Sequence, residues 1–352
     1  MSNPFEKRLA DFQVRLRRRR LAAAFVFDEF NIRSLTGVAC DSACLAVPAC
    51  GAAVFFTDFR YAPMVRRTAP ELKVRDIGAG LKGIGRFAAG PGALGYESSI
   101  SVARFGRLER LFPKRSFVDV AGELSALRSV KTPEEIERIA AAVALNDEIW
   151  AEAQAAFEPG MTEREMARVI RRLMIEKGDG EAFETIVCVG RNAAECHHVP
   201  DGTVWNGREP VLVDMGVKLD GYCSDMTRNL VPKRQSRLYR QVYGLVLEAN
   251  LRAIAAARPG ITAGELDRTA RKFLTENHFG KAFGHSLGHG VGLEIHEAPT
   301  ARKGDATVLE PGMLVTIEPG VYLEGNLGVR IEDLVVITDS GCRVLTRSLK
   351  KV

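Results

Sequence analysis

The chain has 352 residues, 46% apolar and 26% charged, with a formal net charge of +5 at pH 7. This composition excludes a disordered chain, a collagen-like repeat and a small disulfide scaffold. The longest nearly apolar run, residues 43–56, is interrupted by Pro48 and Gly51 and falls short of the roughly 20 residues a membrane helix needs.

The charge is too mild to argue for nucleic acid, and at about 150 residues per domain the length points to two domains. The start, MSNPFEKRLADF, lacks the apolar stretch of a secretory signal, so a cytoplasmic location is expected. Residues 6–20 predict a basic amphipathic helix, with Arg15 and the arginines of residues 17–20 at its solvated end. Residues 22–27 and 52–57 read as short apolar strands. Residues 78–92 read as a glycine-rich loop around a short helix, followed by a strand entry at residues 92–96. These alternating elements make residues 1–125 an N-terminal αβ domain, leaving residues 126–352 as the second domain.

The second domain opens at Thr132-Pro133-Glu134-Glu135. Thr132 can cap a helix, Pro133 suits its first position, and Glu135 closes a capping box. Further on, the chain repeats itself. Pro159-Gly160-Met161-Thr162 and Glu165 recur as Pro259-Gly260-Ile261-Thr262 and Glu265, 100 residues later. His197-His198-Val199-Pro200 is matched by His296-Glu297-Ala298-Pro299, and the segment from Asp214 to Gly221 by that from Glu318 to Gly325. Three matches in one order and at nearly one offset predict a duplicated αβ unit. Five of the six histidines (His197, His198, His285, His289, His296) lie in two short segments, which points to a site. The seven cysteines form no C-x-x-C pair, so reduced thiols are expected.

Each copy carries two acids on apolar strands. Residues 221–225 run away from an Asp-Gly turn, and a hairpin centred between Leu219 and Asp220 would set Asp214 opposite Asp225; one centred on Gly325 would set Glu318 opposite Glu332. Facing carboxylates repel and are costly to bury. Arg228 and Arg330 are nearby but too few to neutralise four acids. Two divalent cations would supply +4 against −4, the charge balance of a hydrolytic two-metal site. Carboxylate oxygens with imidazole favour Mn²⁺, Co²⁺, Fe²⁺ or Zn²⁺ over a thiolate site. The imidazole would come from GHSLGHGVGLEIHE, residues 284–297, where glycines flank His289.

Together, VDMG around Asp214, SDMTR around Asp225, GHGVGLEIHE around His289 and His296, IEPG around Glu318 and GVRIED around Glu332 resemble the pita-bread metallopeptidases, the superfamily of methionine aminopeptidase, aminopeptidase P and prolidase. NIRSLTG (residues 31–37), TDFRY (57–61), LGYE (94–97) and LRSVKTPEEI (127–136) resemble the creatinase-type N-terminal domain and linker, which methionine aminopeptidases lack. The resemblance implies an α/β (α+β) chain, with a creatinase-like domain before a pseudo-twofold pita-bread domain, that hydrolyses N-terminal Xaa-Pro bonds of proline-containing peptides through a hydroxide bridging two metals. It implies Mn²⁺ first, with Co²⁺ or Zn²⁺ as alternatives.

By the same resemblance Asp214 chelates one metal, Asp225 and Glu332 bridge both, and His289 and Glu318 complete the second. His197, His285 and His296 line the cleft; His197 and His296 hold the scissile carbonyl or the tetrahedral intermediate, and Glu318 shuttles the proton. His197 is preferred to His198 because it aligns with His296 in the repeat. A homodimer is implied as well. Cys196 stands where proline is frequent, which would place a thiol near the cleft, sensitive to oxidation. Residues 298–300 hold no arginine for a substrate carboxylate, so dipeptides and longer peptides both stay open. A metal-free C–N hydrolase of creatinase type and a non-catalytic binding homologue are the alternatives.

Overall fold

The computed structural model of the protein describes residues 4–87 and 90–350. The chain divides into two compact units, Met1–Arg128 and Ser129–Val352. Among the described residues no helix is long and apolar enough to cross a membrane.

The first unit is built on a six-stranded mixed sheet, in the order Lys73–Asp76, Val54–Thr57, Ala43–Pro48, Leu21–Val26, Ala93–Tyr96, Phe117–Asp119. The apolar run of residues 43–56 is explained here, because both faces of the central strands are covered. Leu45 and Val47 join Phe12, Leu16 and Ile32 on one face, while Cys44 and Ala46 join Phe25, Phe56 and Leu108 on the other. The first helix is Pro4–Arg18, and the arginines of residues 17–20 are exposed at its end. The expected glycine-rich loop holds two short 3-10 turns, Ala79–Leu81 and Ile84–Arg86; its positions 88 and 89 lie outside the described residues.

The second unit contains one architecture twice. Helices Pro133–Ala156 and Glu163–Lys177 cover a sheet of Ile186–Val189, Val211–Met215 and Met226–Leu230, burying Ile149, Met166 and Ile170 against Val187 and Val213. Helices Arg237–Ala256 and Ala263–Glu276 cover a sheet of Leu314–Ile317, Asp333–Ile337 and Cys342–Val344, burying Val242, Val246 and Leu266 against Val315 and Val335. Capping boxes form at Thr132/Glu135, Thr162/Glu165 and Thr262/Glu265. Asn146 and Asn250, on the long helix of each copy, donate from Nδ2 to the carbonyls of Met215 (3.1 Å) and Ile317 (2.8 Å).

The strand registers decide how the acids face. In the second copy Leu323 pairs with Leu327 and Gly320 with Arg330, about a turn at Gly325, whose φ of 67° suits glycine. In the first copy the register differs from expectation by two. Leu219 pairs with Tyr222 and Asp214 with Thr227, so the turn is Asp220-Gly221 and Asp214 is not directly opposite Asp225. The physical reason is the turn itself. Asp220 (φ 50°) and Gly221 (φ 71°) both adopt the left-handed conformation of the two-residue hairpin turn that matches strand twist. Asp225 is the diagonal neighbour of Asp214 and shares its face.

Candidate metal centre and its cleft

A cavity of about 390 Å³ opens within the second unit, and all eight sequence-predicted site residues line it: Asp214, Asp225, Glu318, Glu332, His197, His285, His289 and His296. Asp214 sits near the end of the strand Val211–Met215, and Asp225 just precedes Met226–Leu230. Glu318 follows Leu314–Ile317, and Glu332 precedes Asp333–Ile337. His289 is the middle residue of the strand Gly288–Gly290. That strand lies so close to its neighbour that a Cβ on Gly288 would collide with the Thr316 carbonyl oxygen, which only glycine avoids.

Asp225, His289 and Glu332 each bring a ligand atom within 4.8 Å of the others. His289 Nε2 stands 3.5 Å from Asp225 Oδ2 and 3.4 Å from Glu318 Oε1. Neighbouring hydroxyls orient the acids: Thr227 Oγ1 donates to Glu332 Oε2 (2.7 Å) and Thr316 Oγ1 to Glu318 Oε1 (3.1 Å). Asp214 stands apart from the three-residue cluster. Its Oδ2 accepts from Arg330 Nη2 at 2.7 Å, while its buried Oδ1 has no hydrogen-bond partner among the described residues. Arg228 instead pairs with Asp333, also at 2.7 Å.

The electrostatics follow from this burial. Desolvation, then the charges of Glu332, Asp214 and Glu318, pushes Asp225 well above the usual carboxylate range. Desolvation, then Glu318 and Asp214, does the same to Glu332. Burial pushes Glu318 up to about 8. The same burial lowers His289, favouring the neutral imidazole that a metal binds. A set of buried carboxylates facing a neutral imidazole, with one carboxylate oxygen unpartnered, fits divalent cations and is hard to satisfy otherwise.

The remaining histidines form the rim. His197 and His296 are exposed, and the rings of His289 and His296 meet edge to face with centroids 4.3 Å apart. His285 is pushed down to about 4 by burial and by the Arg330 charge; its Nε2 lies 2.9 Å from the Tyr322 hydroxyl. His198 turns away from the cavity and bonds to Glu163. Cys196 lines the cavity with its Sγ 3.8 Å from Arg330 Nη1. Sequence reasoning missed Thr227 and Tyr322. Thr316 is a polar residue in the otherwise apolar strand Leu314–Ile317, the one sign in the sequence that it has a partner.

Comparison with known proteins gives the family of the chain. The model of metallopeptidase family M24 matches residues 137–339, and that of the creatinase/prolidase N-terminal domain matches residues 8–130. A Xaa-Pro dipeptidase of Lactobacillus helveticus is 42% identical over 257 residues, covering 72% of this chain and 70% of that protein. The solved Xaa-Pro dipeptidase from Bacillus anthracis superposes with a TM-score of 0.95 at 30% identity, covering 99% of both chains. The X-Pro aminopeptidase from Thermotoga maritima superposes with a TM-score of 0.85 at 30% identity, covering 95% of this chain and 98% of that one. With its fold, its buried acid-and-imidazole cluster and these matches in agreement, the chain belongs to metallopeptidase family M24 and carries a creatinase/prolidase N-terminal domain.

Proposed function

We propose that the protein hydrolyses the peptide bond between an N-terminal residue and a following proline, in dipeptides or in longer peptides. The observation that carries the reading is the buried group Asp225, His289 and Glu332 on the floor of a peptide-sized cavity, together with relatives named for that activity. Asp214, Asp225, His289, Glu318 and Glu332 would hold two divalent ions. Bound there, such ions supply an activated water and polarise the scissile carbonyl.

The chain's own groups do the rest. His197 and His296 donate hydrogen bonds to the oxygen that becomes negative as the carbonyl is attacked. Glu318 takes the proton of the attacking water and returns it to the proline nitrogen, which as a tertiary amide has no N–H of its own. His285, held by Tyr322 and kept neutral by burial, shapes the wall that receives the proline ring.

The donor set of oxygens and imidazole favours Mn²⁺, with Co²⁺ or Zn²⁺ as alternatives. All seven cysteines are free, which suits a cytoplasmic enzyme. A homodimer follows from the family resemblance and is checked by light scattering. The decisive experiment strips the protein with chelator, restores Mn²⁺ and assays Xaa-Pro dipeptides and Xaa-Pro-Yaa peptides. Metal-dependent release of the first residue is expected. Turnover unaffected by chelator would favour a creatinase-type C–N hydrolase, and no turnover with metal bound would leave a binding protein.

A further inference from the structure

Two buried ion pairs stand beside the cleft but outside the metal centre. Glu163, the first residue of the helix Glu163–Lys177, is wholly buried. Its Oε1 accepts from the Val189 amide (2.7 Å) and Asn192 Nδ2 (2.9 Å); its Oε2 accepts from the Asp201 amide (3.0 Å) and pairs with His198 Nε2 (2.7 Å). Glu163, His198 and Asp201 are close enough to suggest metal ligation. The two oxygens of Glu163, however, already meet four partners, which suits a structural clasp rather than a cation site. The second pair is Lys131 Nζ with Glu297 Oε1, 2.6 Å apart, with side chains 2% and 3% exposed.

His198 and Glu297 occupy the same place in the two copies. Each directly follows a cleft histidine, His197 or His296, and each stands two residues before a proline, Pro200 or Pro299. In both copies the first side chain of the dipeptide is exposed and lines the cleft, and the second is buried against an opposite charge, His198 away from the cavity and Glu297 at its wall. Neighbouring residues share a rigid peptide plane, so a clasp that holds the second in place narrows the backbone range from which the first side chain projects, leaving mainly its own ψ and χ1 to set its aim. Buried ion pairs are weak sources of stability compared with apolar packing, but their geometry is specific.

We propose that Glu163–His198 and Lys131–Glu297 are positioning devices that aim His197 and His296 at the scissile carbonyl. The proposal rests on the Xaa-Pro reading above. Its test is a double-mutant cycle on the full chain loaded with Mn²⁺, with alanylproline as substrate. His198→Ala should lower kcat about tenfold while KM changes less than about twofold. His198→Gln, whose amide nitrogen can still donate to Glu163, should keep kcat within about threefold of the parent. In a His197→Ala background, where the aimed group is gone, His198→Ala should cost less than about a further twofold. Lys131→Met should behave in the same way with respect to His296→Ala, and Lys131→Arg should restore kcat.

Should His198→Ala fail to fold, His198→Asn, too short to reach Glu163, takes its place in the cycle. Equal losses of kcat in the parent and His197→Ala backgrounds would overturn the proposal, because the pair would then act on the fold at large. A rise in KM at constant kcat would overturn it too. A parent protein without any turnover of alanylproline or Xaa-Pro-Yaa peptides would overturn the Xaa-Pro reading itself, and the proposal with it.

Discussion

Two threonine hydroxyls hold the carboxylates of the cleft floor in place. Thr227 Oγ1 donates to Glu332 and accepts from Arg330 Nε at 2.9 Å, so one hydroxyl links an acid to the guanidinium that also holds Asp214. Thr227→Val removes both bonds at nearly constant shape. Groups that orient metal ligands typically contribute 10- to 100-fold in affinity or activity, and a weakening of about that size in Mn²⁺ affinity is expected by calorimetric titration. Unchanged affinity would mean that Glu332 is oriented by packing alone.

His198 gives a pH prediction at the same scale. Burial lowers its pKa, but the hydrogen bond and charge of Glu163 outweigh this and leave it raised. A raised folded-state pKa contributes stability that is fully present below the unfolded value of about 6.5 and is lost as pH rises through the folded value. The urea midpoint of the parent protein should therefore exceed that of His198→Gln most at pH 6, with the gap narrowing toward pH 9. A gap independent of pH would exclude the charged pair.

At the scale of elements, the helix starts and the glycine strand carry the site. Thr162 and Thr262 each cap a helix, and each also bridges to a segment preceding a strand that carries or leads into a site acid, Val204 before Val211–Met215 and Val308 before Leu314–Ile317. Thr162→Ala should cost about 1 kcal/mol, a fall of roughly 2–4 °C in the melting temperature of a unit this size. Thr262→Ala should match it, since the second copy repeats the arrangement. A near-zero effect at one site and a full effect at the other would show that the copies differ in stability. Gly288→Ala pushes a methyl group into the Thr316 carbonyl and must shift the strand that carries His289. Its metal content after purification should fall, as read by elemental analysis, and a fully loaded variant would show that the strand can yield.

At the scale of the molecule, all five proposed metal ligands lie within Ser129–Val352, and none lies in Met1–Arg128. Metal bound only to the folded form should stabilise the second unit by about 2.7 kcal/mol at a concentration 100 times Kd. Calorimetry with Mn²⁺ and with chelator should show a raised transition for the second unit. A metal effect confined to the first unit would contradict the ligand assignment.

Much of this was written in the linear chain. The T-x-x-E boxes announce the helix starts, since Thr and Glu three residues apart satisfy the first amides of a helix without help from elsewhere. The duplication and the acids on apolar strands are legible because a buried charge needs a partner wherever the strand lies. The symmetric Gly325 hairpin could be placed from spacing alone. The Asp220-Gly221 pair also signals a two-residue turn in sequence, but the register of Asp214 and Asp225 comes from centring the hairpin on that pair and not midway between the two acids. The repeat already singles out His197 over His198, but tertiary structure alone decided that Arg330 reaches Asp214 while Arg228 reaches Asp333, and that Thr227 and Tyr322 join the site. Those partners lie up to more than a hundred residues apart in sequence, and only packing the two copies together brings their side chains within hydrogen-bonding distance.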